Sequence, residues 1–148
     1  MPVEPQWLDL EGLIEANQEQ IELFDGDLGI LDIGLVDSAL NSPRHMYEYD
    51  GEDDLLVLAV RLGVGISKNH GFLDGNKRTG AVAMVEFLIV NGFDLRMRND
   101  RTLGRLLERA IEGVLSEEDL VAMLYRRVEP VDDFQPRLGG VITGYNQE

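Results

Sequence analysis

Cysteine is absent from this chain of 148 residues, and histidine and lysine occur only twice each. The absence of cysteine excludes disulfides, thiolate zinc sites and a cysteine nucleophile. Long apolar runs are missing too, because the strongest one, residues 80–90, is short and interrupted by Glu86. The N-terminus shows no signal-peptide pattern. We therefore expect a cytoplasmic location and no membrane partner.

Basic residues are scarce, with 13 Lys and Arg against 28 Asp and Glu, so the formal net charge is -15. Binding to nucleic acid requires a basic face that neutralises phosphates. No such face is visible, and a direct DNA or RNA ligand is not expected. Two explanations of the acidity remain open: a salt-rich (halophilic) host, in which an acidic surface stays hydrated, and an ordinary acidic protein with a basic partner.

Apolar residues recur at helical spacing through most of the chain, and no alternating pattern longer than a few residues indicates strands. The sequence therefore predicts one all-α domain over residues 1–130, followed by a flexible C-terminal tail over residues 131–148. In the first half, a short helix is predicted that ends before Pro43, and a polar loop over residues 44–53, which contains His45, is predicted to follow. The predicted helices span residues 8–24, 35–40, 53–69, 80–90, 102–115 and 116–127.

The stretch NHGFLDGNKRTG, residues 69–80, gathers the scarce cations where a buried helix ends and another begins. If the second helix starts near Asn76, its first backbone N–H groups lack intrahelical partners and favour an anion. Gly75 lets the backbone approach a ligand closely, while Lys77 and Arg78 add charge-assisted hydrogen bonds. The pattern predicts an anion site at this helix N-terminus.

Asp74 and His70 extend this prediction from binding to chemistry. A carboxylate beside a phosphate is favourable if it holds Mg²⁺ that also contacts phosphate oxygens. A neutral imidazole at position 70 can accept the proton of an attacking hydroxyl. Together these residue types point to phosphoryl or nucleotidyl transfer. From the residues alone, ordinary helix capping and a structural histidine remain open alternatives.

The string from His70 to Arg78, HGFLDGNKR, resembles the signature of the Fic/Doc family. That signature is histidine, usually proline, phenylalanine, a variable residue, an acid, glycine, asparagine, glycine or lysine, and arginine. The resemblance extends over most of residues 8–127. It implies a compact helical bundle in which the signature loop joins two central helices. Gly71 departs from the usual proline, and we expect it to loosen the backbone beside His70.

Two positions place the resemblance on the Doc (death-on-curing) branch. Lys77 stands where adenylyltransferases of the family have glycine, and Ala81 stands where they have a second arginine. The Doc branch implies a kinase that transfers the terminal phosphate of ATP to a threonine of the translation machinery, in elongation factor Tu. Transfer of AMP by the same site is one alternative. A catalytically inactive anion-binding module is the other.

The resemblance also implies a role for each residue of the motif. His70 is the general base and Asp74 the acid linked to Mg²⁺, and the anion cradle is formed by Gly75, Asn76, Lys77 and Arg78. Phe72 is expected to anchor the core. For Lys68, a phosphate contact and a plain helix-end lysine remain equally open.

Regulation by a separate protein is a further implication of the resemblance. Many family members carry an inhibitory helix in which Ser or Thr is followed four positions later by Glu. Here Ser116 is followed at that spacing by Leu120, and Thr143 by Gln147. We therefore expect a cognate antitoxin as partner instead of self-inhibition.

The acidity of the chain generates a prediction about salt. If the surface is adapted to a salt-rich host, the thermal unfolding midpoint rises as salt is added above the physiological level, because screening weakens repulsion among the acids. Unfolding followed by circular dichroism over a salt series measures this. A loss of stability at high salt would exclude the salt-rich host and leave the basic partner as the explanation.

Overall fold

A computed structural model describes residues 3–97 and 100–131, and helices dominate this part of the chain. The predicted all-α class is confirmed, whereas the predicted tail lies, apart from Val131, outside the described residues. Every helix described is too short or too polar to cross a lipid bilayer. The helices are α1 (Leu10–Phe24), α2 (Ile33–Asp50), α3 (Leu55–Asn69), α4 (Asn76–Val90), α5 (Asp100–Ile111) and α6 (Glu117–Leu124), followed by a 3₁₀ turn (Tyr125–Arg127).

Helices α3 and α4 form the centre of the bundle. Helix α3 is apolar nearly all round and is buried along most of its length, as its sequence predicts. The two helices meet at a pair of glycines, where a Cβ atom added to Gly80 would lie 2.7 Å from the carbonyl oxygen of Gly63. Only glycine leaves room for this approach. The contact fixes the ends of the segment that joins the two helices, residues 70–75, here called the signature loop.

Acidic or hydroxyl side chains cap the N-termini of four helices. Asp9 caps α1, Asp32 caps α2 and Asp54 caps α3, each by accepting backbone N–H groups of the first turn. At α6, Ser116 and Asp119 form a capping box, in which each side chain accepts the backbone N–H of the other residue. These caps satisfy donors that a helix cannot pair internally.

Helix α2 corrects the prediction that a helix stops at Pro43 and is followed by a loop over residues 44–53. The helix continues through Pro43 to Asp50, so His45 is helical. Packing overrides the helix-breaking tendency of proline, because Pro43 completes a stripe that is buried against α3. The stripe consists of Val36, Ala39, Leu40 and Pro43.

A short antiparallel sheet was not predicted from the sequence. Strand β1 (Phe93–Leu95) pairs with β2 (Val128–Pro130), with Asp94 opposite Glu129. Strands of this length carry no detectable alternation. The sheet attaches the chain after α6 to the end of α4, and the N–H of Val131 adds a 2.9 Å hydrogen bond to the carbonyl of Gly92.

We predict that Gly80→Ala destabilises the fold, because the added methyl group must push apart the backbones of α3 and α4. Overpacking of this kind costs about 1–3 kcal/mol. Urea unfolding measures the change. Gly104→Ala is the matched control, since Gly104 is also helical but, apart from its own helix, no atom of the described residues lies within 4 Å of its added Cβ. The control gains helix propensity; equal stability losses in both variants would contradict the close-contact explanation.

Candidate functional site

The signature loop begins and ends in the left-handed backbone region. His70 ends α3 with φ 53° and ψ 42°, and Gly75 precedes α4 with φ 74° and ψ 18°. Glycine adopts this region freely, whereas for other residues it is uncommon, although histidine is among those enriched there. The His70 side chain is exposed. The predicted general base therefore stands at the surface where α3 gives way to the loop.

The interior of the loop is held by Phe72 and Asn76. Phe72 is 1% exposed, which confirms it as a core anchor. The Asn76 amide closes the loop around it: Oδ1 accepts from the Phe72 N–H at 3.1 Å, and Nδ2 donates to the Phe72 carbonyl at 2.9 Å. Asn76 was predicted to bind the anion. Its side chain shapes the loop in this structure, so its backbone N–H is the group that faces a ligand at the helix start.

Asp74 is half-buried and accepts two backbone hydrogen bonds. Oδ2 accepts from the N–H of Asp27 at 3.2 Å, and Oδ1 accepts from the N–H of Gly75 at 2.8 Å. These bonds, with the Asp27 contribution the largest, lower the pKa of Asp74, and the nearby charge of Arg78 lowers it further. The carboxylate is thus held ionised at the entrance to α4.

The segment over residues 26–32, between α1 and α2, pairs with the signature loop. Sequence reasoning treated this segment as a plain connection and missed the pairing; the only available signal was the glycines at 26 and 29. Because the pairing is made by backbone atoms, it leaves little trace in side-chain pattern. The N–H groups of Leu31 and Asp32 donate to the carbonyl of Gly71 at 2.8 and 3.0 Å, and the N–H of Leu73 donates to the carbonyl of Gly29 at 2.9 Å.

Gly71 is tightly enclosed, which corrects the expectation that it loosens the backbone beside His70. A Cβ atom added to Gly71 would lie 2.5 Å from Cγ2 and 2.9 Å from the backbone nitrogen of Val36, at the start of α2. With its carbonyl also bonded twice, this residue is fixed by packing and hydrogen bonds. The missing side chain allows α2 to approach the loop.

Helix α1 contributes a buried polar residue that the sequence analysis overlooked. Asn17 is 2% exposed, and its Nδ2 donates to the backbone carbonyl of Asp74 at 2.9 Å and to Oγ1 of Thr79 at 3.1 Å. A buried amide needs such partners. The detectable signal was an asparagine on the apolar face of α1, between Leu13 and Ile21. It ties the signature loop to a helix far away in the sequence.

The three cations predicted to bind phosphate lie around the loop, and each has different surroundings. Lys68 is exposed in the last turn of α3. Lys77 pairs with Glu108 of α5 at 3.2 Å, both side chains being about half exposed at 50% and 49%. The guanidinium of Arg78 lies 4.7 Å from the ring centre of Phe24, and its Nε atom is buried without a partner in the part of the chain described.

The N-terminus of α4 lacks the side-chain cap that the other capped helices have. Gly75 is its N-cap and makes no side-chain hydrogen bond to it. The N–H groups of Asn76, Lys77 and Arg78 are first-turn donors, which cannot pair within the helix. With the helix dipole they favour an anion at this end. The site thus combines an ionised carboxylate, unpaired donors and nearby cations.

A Mg²⁺ ion fits this donor set only as an ion shared with a substrate. Among residues 3–97 and 100–131 no three His, Asp or Glu side chains gather into a metal-binding group. Mg²⁺ commonly takes one or two protein carboxylates and completes its shell with phosphate oxygens and water. Asp74 supplies one carboxylate beside the phosphate-favouring helix end. This arrangement agrees with a metal that binds together with a nucleotide.

Comparison with known proteins agrees with the motif. The family model described as "Fic/DOC family" matches residues 7–88, which contain α1 to α3, the signature loop and α4 up to Leu88. A protein named "Toxin Doc" from Mycolicibacterium smegmatis (strain ATCC 700084 / mc(2)155) is 35% identical over 91 residues, covering 61% of this chain and 68% of that protein. The matched stretches are shorter than the extent of 8–127 read from the sequence.

The lowered pKa of Asp74 predicts a pH-dependent contribution to stability. A carboxyl group with a depressed folded-state pKa stabilises the fold fully above its ordinary value of 3.8, and this contribution is lost as the pH falls through the lower folded value. We expect Asp74→Asn to be less stable than the wild type near neutral pH, with the difference shrinking on acidification below about pH 4. Urea unfolding over a pH series measures it.

Glu22→Gln is the control for this comparison, because it removes one exposed negative charge from the neighbouring helix α1. Subtracting its effect corrects for the change in net charge. A wild-type advantage over Asp74→Asn that stays constant from about pH 6 to about pH 3 would show that the Asp74 hydrogen bonds do not depend on ionisation.

Proposed function

The chain belongs to the Fic/DOC family, and we propose that it is a Doc-like toxin that transfers the terminal phosphate of ATP to a protein hydroxyl. One observation carries the proposal: the N-terminus of α4 has no side-chain cap and lies between an ionised Asp74 and Arg78. By contrast, α1, α2, α3 and α6 each begin with a side-chain cap. An end left open for an anion, beside a carboxylate, suits a phosphate that arrives with a metal.

The nucleotide phosphates would be held by the backbone N–H groups of residues 75–78 and by the side chain of Arg78, whose planar fork matches phosphate oxygens. Lys77 would exchange its contact with Glu108 for a phosphate. Exposed ion pairs of this kind contribute about 0–1 kcal/mol, so the exchange costs little. Lys68 is available at the end of α3 for a peripheral phosphate contact.

Asp74 is the residue that would hold Mg²⁺ together with the phosphates. Each of its oxygens accepts one backbone hydrogen bond and retains further acceptor capacity. When bound, the ion would neutralise charge that develops on the phosphate oxygens. The two backbone bonds fix the carboxylate in place before any ligand binds.

His70 is the proposed general base. Its imidazole would take the proton of the acceptor hydroxyl as the hydroxyl oxygen forms a bond to the γ-phosphorus. The bond between the γ-phosphorus and the oxygen bridging to the β-phosphate breaks, and ADP leaves. The products are a phosphate ester on the acceptor, ADP and a proton on His70. The exposed position of the side chain permits access by a large acceptor.

A protein acceptor is supported by exposed apolar side chains next to the loop. They project from the 26–32 segment and its continuation into α2, and from the loop itself; contiguous exposed apolar surface marks protein interaction sites. We propose a threonine of elongation factor Tu as the acceptor and, accordingly, action in the cytoplasm. The side chains are Leu28 (59% exposed), Ile30 (42%), Leu31 (63%), Ile33 (48%) and Leu73 (47%).

A cognate antitoxin is the proposed regulatory partner. The name of the Doc relative includes the word toxin, and a toxin that acts on its own host's translation requires neutralisation. The same apolar side chains offer a surface on which a folding antitoxin segment can dock. If so, adding the purified antitoxin to a transfer assay suppresses labelling, and undiminished labelling with a bound antitoxin would contradict this role.

Phosphate-position labelling tests the proposed reaction. The protein is incubated with Mg²⁺ and a translation extract, in parallel with ATP labelled at the γ- or the α-phosphate. We expect transfer from the γ-position only. His70→Ala should reduce transfer at least about 100-fold, as expected for removal of a general base. His45→Ala, the other histidine of the chain, lies on α2 and is the matched control that retains activity.

The other outcomes of this experiment identify the alternatives. Transfer of the α-label would make the protein an adenylyltransferase despite Lys77. If neither label is transferred although ATP binds, the protein is a catalytically inactive module whose anion site binds a partner.

A further inference from the structure

Phe24 is a large aromatic residue that the fold leaves 56% exposed at the last position of α1. Burial of apolar surface does not explain an aromatic residue at this position, since its neighbour Leu23 is 72% exposed and this end of the helix lies at the surface. Its distinctive contact is with Arg78, whose guanidinium lies 4.7 Å from the ring centre. Phe24 therefore touches a residue of the proposed phosphate site without being part of the signature.

The guanidinium of Arg78 lies over the Phe24 ring, and one of its terminal nitrogens lies near the start of α4. A guanidinium that lies over an aromatic ring uses its face for the cation–π attraction, while its N–H groups point outward in the plane. The Nε atom is buried without a partner in the described residues. Nη2 lies near the N-cap of α4, at 3.9 Å from the position of a Cβ added to Gly75.

From these contacts we infer that Phe24 is a positioning residue, which holds the Arg78 fork beside the N-terminus of α4 for the nucleotide phosphates. The inference rests on the proposed function. Arginine has several rotatable bonds, and a side chain that is ordered before binding loses less entropy when the ligand arrives. The charge of Asp74 also attracts this guanidinium, so the ring and the carboxylate both favour its place near the loop.

The size of the expected effect follows from the strength of such stacks. Cation–π contacts at partly exposed sites correspond to about a two- to fivefold change in affinity. Phe24→Leu keeps an apolar side chain but removes the aromatic face. We expect it to weaken binding of Mg²⁺–ATP by about two- to fivefold and to raise the KM for ATP, with kcat little changed. Phe24→Tyr, which retains the face, should restore wild-type affinity.

The test measures Mg²⁺–ATP affinity by calorimetry in the absence of any protein acceptor, so that acceptor docking does not contribute. Leu23→Ala is the matched control, as a neighbouring apolar residue of α1 that is 72% exposed and has no aromatic ring to place over a guanidinium. Each variant is also made in an Arg78→Ala background. If Phe24 acts through Arg78, Phe24→Leu has no further effect once the arginine is gone.

The possible failures are distinguishable. Wild-type affinity in Phe24→Leu overturns the inference and leaves the proposed function standing. An equal loss in the Arg78→Ala background also overturns it, because Phe24 would then contact the nucleotide directly or act through the fold. A wild-type protein that neither binds ATP nor transfers phosphate removes the proposed function, and the inference with it.

Discussion

The contact between Gly63 and Gly80 is the constraint on which the candidate site depends. It brings α3 and α4 close together, and the chain between them turns within residues 70–75. In this turn the backbone is left-handed at His70 and at Gly75. The first puts a histidine at the surface at the end of α3. The second leaves the first turn of α4 without a side-chain cap.

Elements distant in the sequence hold the signature loop from several sides. Asn17 binds it from α1, the 26–32 segment pairs with it through backbone hydrogen bonds, and Phe72 fills the core beneath it. The positive charges near the loop also stand out from the rest of the chain. In a chain with a net charge of -15, the loop and the start of α4 combine helix-end donors with two cations. The geometry of the site therefore depends on contacts from several elements of the bundle.

Periodicity and capping chemistry made most of the helices predictable. The start of α1 after Asp9 and the start of α6 after Ser116 agree with the known preference of these residue types for helix N-caps. Pro43 misled the prediction, because its apolar ring lies in the buried stripe of α2 and packing outweighs a missing hydrogen bond. The two short strands were not predicted, because strands of three residues are too short to show an alternation of apolar and polar residues.

The residues of the candidate site could be predicted from the sequence, but their contacts with other elements could not. The signature string identifies His70, Asp74 and the residues that start α4, since those residue types at that spacing have a chemical rationale. The partners of these residues come from other elements. The stacking of Phe24 on Arg78 depends on how α1 crosses α4, and a backbone donor such as the N–H of Asp27 has no sequence signature.

The enclosure of Gly71 by Val36 has a consequence for how this sequence can evolve. Proline, the residue that the family commonly has at this position, carries a Cβ atom that would collide with Val36 and with the backbone at the start of α2. A single substitution to proline is therefore blocked by its neighbour. Proline at position 71 therefore requires a smaller side chain at position 36 and a displaced α2. The residue types tolerated at these two positions depend on each other, although the positions lie far apart in the sequence.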